Sequence, residues 1–129
     1  MSTTPSTSPS STPNPTASVS LEAASDVAMQ VRALYETLEQ RINGQVWTTH
    51  ELLLGFLNDT ATIGRLVLAN DGTWAIDGDP KAELEHKLAE SMWWIFVLAN
   101  RLDINMTDAY NSTMAKIHGG LTTAVDGQG

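Results

Sequence analysis

LEHKLAESMWWIFVLANRL, residues 84–102, decides the fold class of this chain. Leu84, Leu88, Met92, Ile95, Ala99 and Leu102 recur at steps of three and four, which is one face of an α-helix. From Met92 to Ala99 the segment is apolar on every side, the pattern of a helix buried all round. Asp79-Pro80 upstream reads as an N-cap followed by proline at the first helical position. The spacing therefore predicts a helix over 80–102. One small bundle has few ways to surround it. Trp93, Trp94, Phe96 and Val97 point in several directions and predict a subunit contact, so the chain is expected to be at least a dimer.

Working outward, TTHELLLGFLNDTATIGRLVLAN, residues 48–70, gives a second helix. Thr48 with Glu51 three residues on is a capping box. Leu52, Phe56, Ile63 and Leu66 form its stripe, and Asp59 falls in that stripe where an apolar residue is expected. Asp71-Gly72 ends the helix. Upstream, Val27, Val31, Leu34, Leu38 and Ile42 make one face of a helix over 21–42, closed by Asn43-Gly44. Downstream, Asn105 with Asp108 caps a last helix over 106–118, with Gly119-Gly120 read as its end. No strand-like alternation occurs, so the expected fold is all-α with four helices. Residues 1–19 are read as a disordered Ser/Thr/Pro-rich tail, 20–120 as the helical domain and 121–129 as a flexible end.

Composition narrows the function. The chain has 129 residues, no cysteine, and a net charge of −8 with only seven Lys plus Arg. Without cysteine there is no disulfide framework, thiolate metal site or thiol nucleophile. So few cations argue against binding DNA or an anionic membrane surface. The absence of a charged-then-apolar leader leads to the expectation of a soluble, cytoplasmic protein. No phosphate-binding glycine loop and no H-E-x-x-H motif is present. Asp103-Ile-Asn105-Met-Thr107 starts like a calcium loop but lacks the glycine and the final glutamate. The N-x-Ser/Thr triplets at Asn58, Asn105 and Asn111 are read as chance, and His86 with Glu90 as a helix pair.

Asp59 and Glu90 stand out, each a carboxylate in a strongly apolar stretch. Such a group is costly to bury unless paired or metal-bound. The segments that hold them, LLLGFLNDTATIGRLVLANDG and HKLAESMWWIFVLANRLDINMTDAYNSTM, resemble the MazG-like all-α nucleotide pyrophosphohydrolases. Helix 2 of that family reads roughly L-x-L-G-x-x-x-E-x-x-E-L-x-R-L-V. Its helix 3 reads roughly H-E-L-A-D-x-L-W followed by a short turn and a further helix. The resemblance covers about two thirds of the part outside the tail. It implies an oligomeric four-helix MazG-like bundle and a nucleotide pocket partly built of aromatics, here Trp47, Trp74 and Trp94. It also implies four carboxylates, E-x-x-E and E-x-x-D, holding Mg²⁺ for cleavage of a nucleoside triphosphate to monophosphate and pyrophosphate.

This chain departs from the family at those positions. They are Asp59, Thr62, Lys87 and Glu90. Two carboxylates are gone and one is replaced by an ammonium, so the four sum to a charge of −1. Asp59 and Glu90 remain as a remnant metal pair, and no catalytic residue is assigned. The expectation is an impaired or inactive homologue that needs Mg²⁺ only if active. Nucleotide binding or an assembly role then remains, with itself as partner in a homodimer or larger assembly. The alternatives are an active hydrolase with a site rebuilt around Asp59, Glu90 and Glu83 or Glu51, and a plain helical interaction module. The spacing also predicts that Lys87 lies within ion-pair reach of Asp59 or Glu90, because an unpaired ammonium there is costly.

Overall fold

The computed structural model describes residues 19–128. Four helices follow in order: α1 (Leu21–Asn43), α2 (Thr49–Asn70), α3 (Pro80–Arg101) and α4 (Met106–Asp126). The expectation of a disordered tail falls almost wholly on residues outside the described range.

Local chemistry sets the ends. The Ser20 hydroxyl accepts from Ala23 N at the start of α1, and Gly44 closes it in the left-handed conformation at φ 70°. Thr48 and Glu51 form both halves of the capping box of α2. Asp79 caps α3, with Pro80 in its first turn, and Asn105 caps α4. Between α3 and α4 the chain reverses at Asp103, whose φ of 59° is a left-handed turn that a short polar residue tolerates. These features satisfy backbone groups that would otherwise lack partners.

Packing centres on α2 and α3, the most extensive helix pair. Leu52, fully buried, meets Trp94 and Val97, with Met29, Phe56, Trp93 and Leu98 against them. α2 is long and apolar enough, by length and composition, to cross a membrane. Here it lies along α3, and its one acid at mid-length, Asp59, bonds to α3 side chains.

Three expectations are corrected by the packing. First, the stripe chosen for α1 is not packed into the core: Val31 is 37% exposed and Ile42 83%, and with Leu38 they line an open groove. The inward face carries Ala28 and Arg32 instead. Its small residues let α1 approach α3 closely enough for Trp93 Nε1 to donate to Ala28 O at 3.0 Å. Arg32 is buried there as a bidentate partner of Glu39, at 2.6 and 2.8 Å. Glu39 in turn accepts from Trp47 N at 2.8 Å, tying α1 to the link before α2.

Second, α3 buries Trp94, Phe96, Val97 and Ala99, whereas Leu88, Met92, Ile95 and Leu102 of the expected stripe are exposed. Trp94, Phe96 and Val97 are thus covered by their own chain and do not offer a subunit surface. Third, Gly119-Gly120 does not end α4, which continues to Asp126 through residues read as a flexible end.

Candidate functional site

Asp59 on α2 and Glu90 on α3 face each other, with Lys87 between them. The ammonium lies 3.3 Å from Asp59 Oδ1 and 3.4 Å from Glu90 Oε1. The expected ion-pair reach of Lys87 is met on both sides. Trp94 Nε1 donates to the other oxygen, Asp59 Oδ2, at 2.8 Å. Glu90 also pairs with His86 one turn earlier.

The charges reinforce one another. Burial pushes the Asp59 carboxyl up, but hydrogen bonding with Trp94, Glu90 and Lys87 and the ammonium's charge outweigh it and hold it below its ordinary value. Burial likewise pushes Lys87 down. Its bond to Asp59 and the charges of Glu90 and Asp59 more than reverse this, so the ammonium titrates higher than usual. Glu39 follows the same pattern: burial raises it, and the Arg32 and Trp47 hydrogen bonds bring it below its ordinary value.

These residues do not fit a divalent cation. Mg²⁺ needs near-octahedral oxygen ligands, usually several carboxylate and water oxygens at close range. Here a fixed positive charge stands between Asp59 and Glu90. Among the described residues no three His, Asp or Glu side chains converge as a metal site would require. Thr62 is turned back onto its own helix, its hydroxyl donating to Asn58 O at 3.1 Å. Glu51 is engaged in the α2 cap. Glu83 lines a small cleft with Thr62 and Lys87, apart from the larger groove.

Asp59 and Glu90 open onto that groove, a cavity of about 540 Å³ between α1, the Trp47 link and α3. Its walls are Tyr35, Trp47, Trp93 and Trp94, with Val31, Leu38 and Ile42 along one side. Tyr35 and Trp93 pack at 5.3 Å between ring centroids, and Trp93 meets Trp94 edge-on at 4.8 Å. The indole N–H groups of both tryptophans are held by protein acceptors, which fixes the rings. Trp94 lies close to the backbone of α2 because residue 55 is glycine. A Cβ there would stand 2.5 Å from the Trp94 ring.

Of the aromatics named from sequence, the fold brings Trp47 and Trp94 together and leaves Trp74 elsewhere. Trp74 is half-exposed under the Arg65 guanidinium, 4.9 Å from its ring centre. Tyr35 and Trp93 were missed. Tyr35 lies beside the α1 stripe, and its step of four from Val31 was the available signal. No family model, characterised protein or solved structure matches the chain.

Proposed function

We propose that this chain is a MazG-like nucleotide pyrophosphohydrolase homologue that has lost its Mg²⁺ site and with it the hydrolysis of nucleoside triphosphates. On this reading it is a cytoplasmic homodimer that acts by binding a nucleotide or through its assembly. The observation that carries the proposal is the Lys87 ammonium between Asp59 and Glu90. It satisfies both carboxylates and leaves no cation to neutralise a triphosphate or activate water.

The groove supports the nucleotide part. Its volume suits a drug-sized ligand, and its fixed aromatic faces suit a planar base. Near the carboxylates it offers acceptors rather than phosphate-binding donors. The Arg32 guanidinium is already engaged by Glu39. Binding through the base, without metal-bridged phosphates, is the mode these groups favour.

Two assays test this. Pyrophosphate release across the common nucleoside triphosphates with Mg²⁺ should stay at background. Clear turnover that Asp59→Ala abolishes would instead favour the rebuilt-site hydrolase. Quenching of tryptophan fluorescence on titration with nucleosides should saturate, and Trp47→Ala should weaken it. Absence of any saturable quenching would remove nucleotide binding and leave the assembly role or the interaction-module reading.

A further inference from the structure

The carboxyl-terminal helix is the least explained part of the molecule. α4 touches the body only at its start, where Met106 and Thr107 lie across a cleft from Glu22 and Ser25 of α1. Every residue from Tyr110 to Asp126 is exposed, and α4 buries none. A helix held only at its first turn, with the rest in water, is marginal. Yet its sequence is patterned: Tyr110, Met114, Ile117, Leu121 and Val125 fall on one face, with Ser112, Lys116, Thr123 and Asp126 opposite.

α1 presents a matching surface. Val27, Val31, Leu34, Leu38 and Ile42 are all exposed. Their steps of four, three, four and four are the same as those of the α4 stripe. Both stripes therefore run about 22 Å along their helices at 1.5 Å per residue. They do not meet within one chain, since each is open to solvent along its length.

We propose that the α4 arm of one chain packs its stripe along the α1 stripe of a second copy, and the second copy returns the same contact. Each chain carries one of each surface, so a two-fold axis closes the pair and leaves neither stripe over. Ten half-exposed large apolar side chains per copy supply an area of the order of the roughly 800 Å² per partner that stable interfaces bury. Stripes of equal spacing interdigitate as helix ridges do. Val31, Leu38 and Ile42 belong both to the α1 stripe and to the groove wall. The partner's arm thus becomes a further wall of the groove, and the site of one chain is completed by the other. The inference rests on the dimer in the proposal above and supplies its surface, but it does not depend on the groove's ligand.

Sedimentation velocity on the full chain at micromolar concentration tests it. The expected result is a dimer. Ile117→Asp on the arm and Leu38→Asp on α1 should each weaken it by roughly 30-fold or more, as loss of a central apolar anchor does. Circular dichroism should show that the remaining helices persist. The chain has no cysteine, so introduced thiols report contacts cleanly. Equal amounts of Leu38→Cys and Ile117→Cys proteins, mixed and oxidised, should yield a covalent heterodimer. A monomer, a dimer indifferent to both aspartates, or a Leu38→Cys/Ile117→Cys double variant that closes only within one chain would overturn the proposal. Ile117→Asp, which lies outside the groove lining of its own chain, separates the two readings: nucleoside quenching of tryptophan fluorescence that persists in a monomeric Ile117→Asp protein keeps the binding reading and removes the completed site.

Discussion

α2 and α3 enclose the buried core between them, whereas α4 buries no side chain and the apolar stripes of α1 and α4 lie open to solvent. Leu52, Trp94 and Val97 are buried inside one chain, while Ile42 and Val125 are among its most exposed apolar side chains. α1 even turns a charged residue, Arg32, toward the body and its aliphatic residues away from it. The difference separates where the fold is closed from where it is open. α2 and α3 hold Asp59, Lys87 and Glu90, and α1 adds the far wall of their groove. The stripes of α1 and α4 are the surfaces that the proposed dimer would cover.

That contrast makes ranked predictions. Trp94→Ala should cost the most, about 3–5 kcal/mol, because it empties the core and removes the donor to Asp59. Urea unfolding checks this, and a loss under 1 kcal/mol would mean that the core lies elsewhere.

Arg32→Ala should cost about 3 kcal/mol by leaving Glu39 buried without its cation, and the paired change Arg32→Met with Glu39→Met should recover most of it. If the double variant is no better than the single one, the ion pair is not what orients α1.

Gly55→Ala should cost about 1–3 kcal/mol, since the added methyl collides with the Trp94 ring. The Trp94 indole N–H resonance should shift with it, while Gly64→Ala, which meets nothing, should leave that resonance in place.

Smaller still is the effect of pH. Asp59 and Glu39 titrate below their ordinary values of 3.8 and 4.5, so their contribution is present above those values. It is lost as pH falls through the lowered folded values. Lys87 is raised above 10.5, so its contribution holds below that value and is lost as pH climbs through the folded one. These three groups should add no pH dependence to stability between these limits. Lys87→Met should remove the alkaline decline that belongs to this ammonium.

Least of all, Gly119→Ala in the exposed arm should stabilise α4 by about 0.5–1 kcal/mol, through helix propensity alone. Helicity by circular dichroism reads it.

The parts legible in the sequence were those governed by neighbours along the chain. Thr48, Asp79 and Asn105 act within three residues of themselves, and all three caps are where their residue types placed them. Lys87 between Asp59 and Glu90 was legible because helical spacing and the cost of an unpaired ammonium point the same way. The inward face of α1 was not. Periodicity marks an apolar stripe but not which body covers it, and a bidentate ion pair let the polar face turn inward. The glycine pair in α4 misled for a related reason: glycine weakens a helix without forbidding one, and the stripe runs through it to Val125.

The central claim is that the Lys87 ammonium occupies the place of a divalent cation. Isothermal titration with Mn²⁺ tests it most directly. The unmodified chain should show no saturable binding in the millimolar range. The variant Thr62→Glu, Lys87→Glu, Glu90→Asp, which places carboxylates around Asp59, should gain a single site. Stoichiometric Mn²⁺ binding by the unmodified chain, lost in Asp59→Ala, would contradict the account.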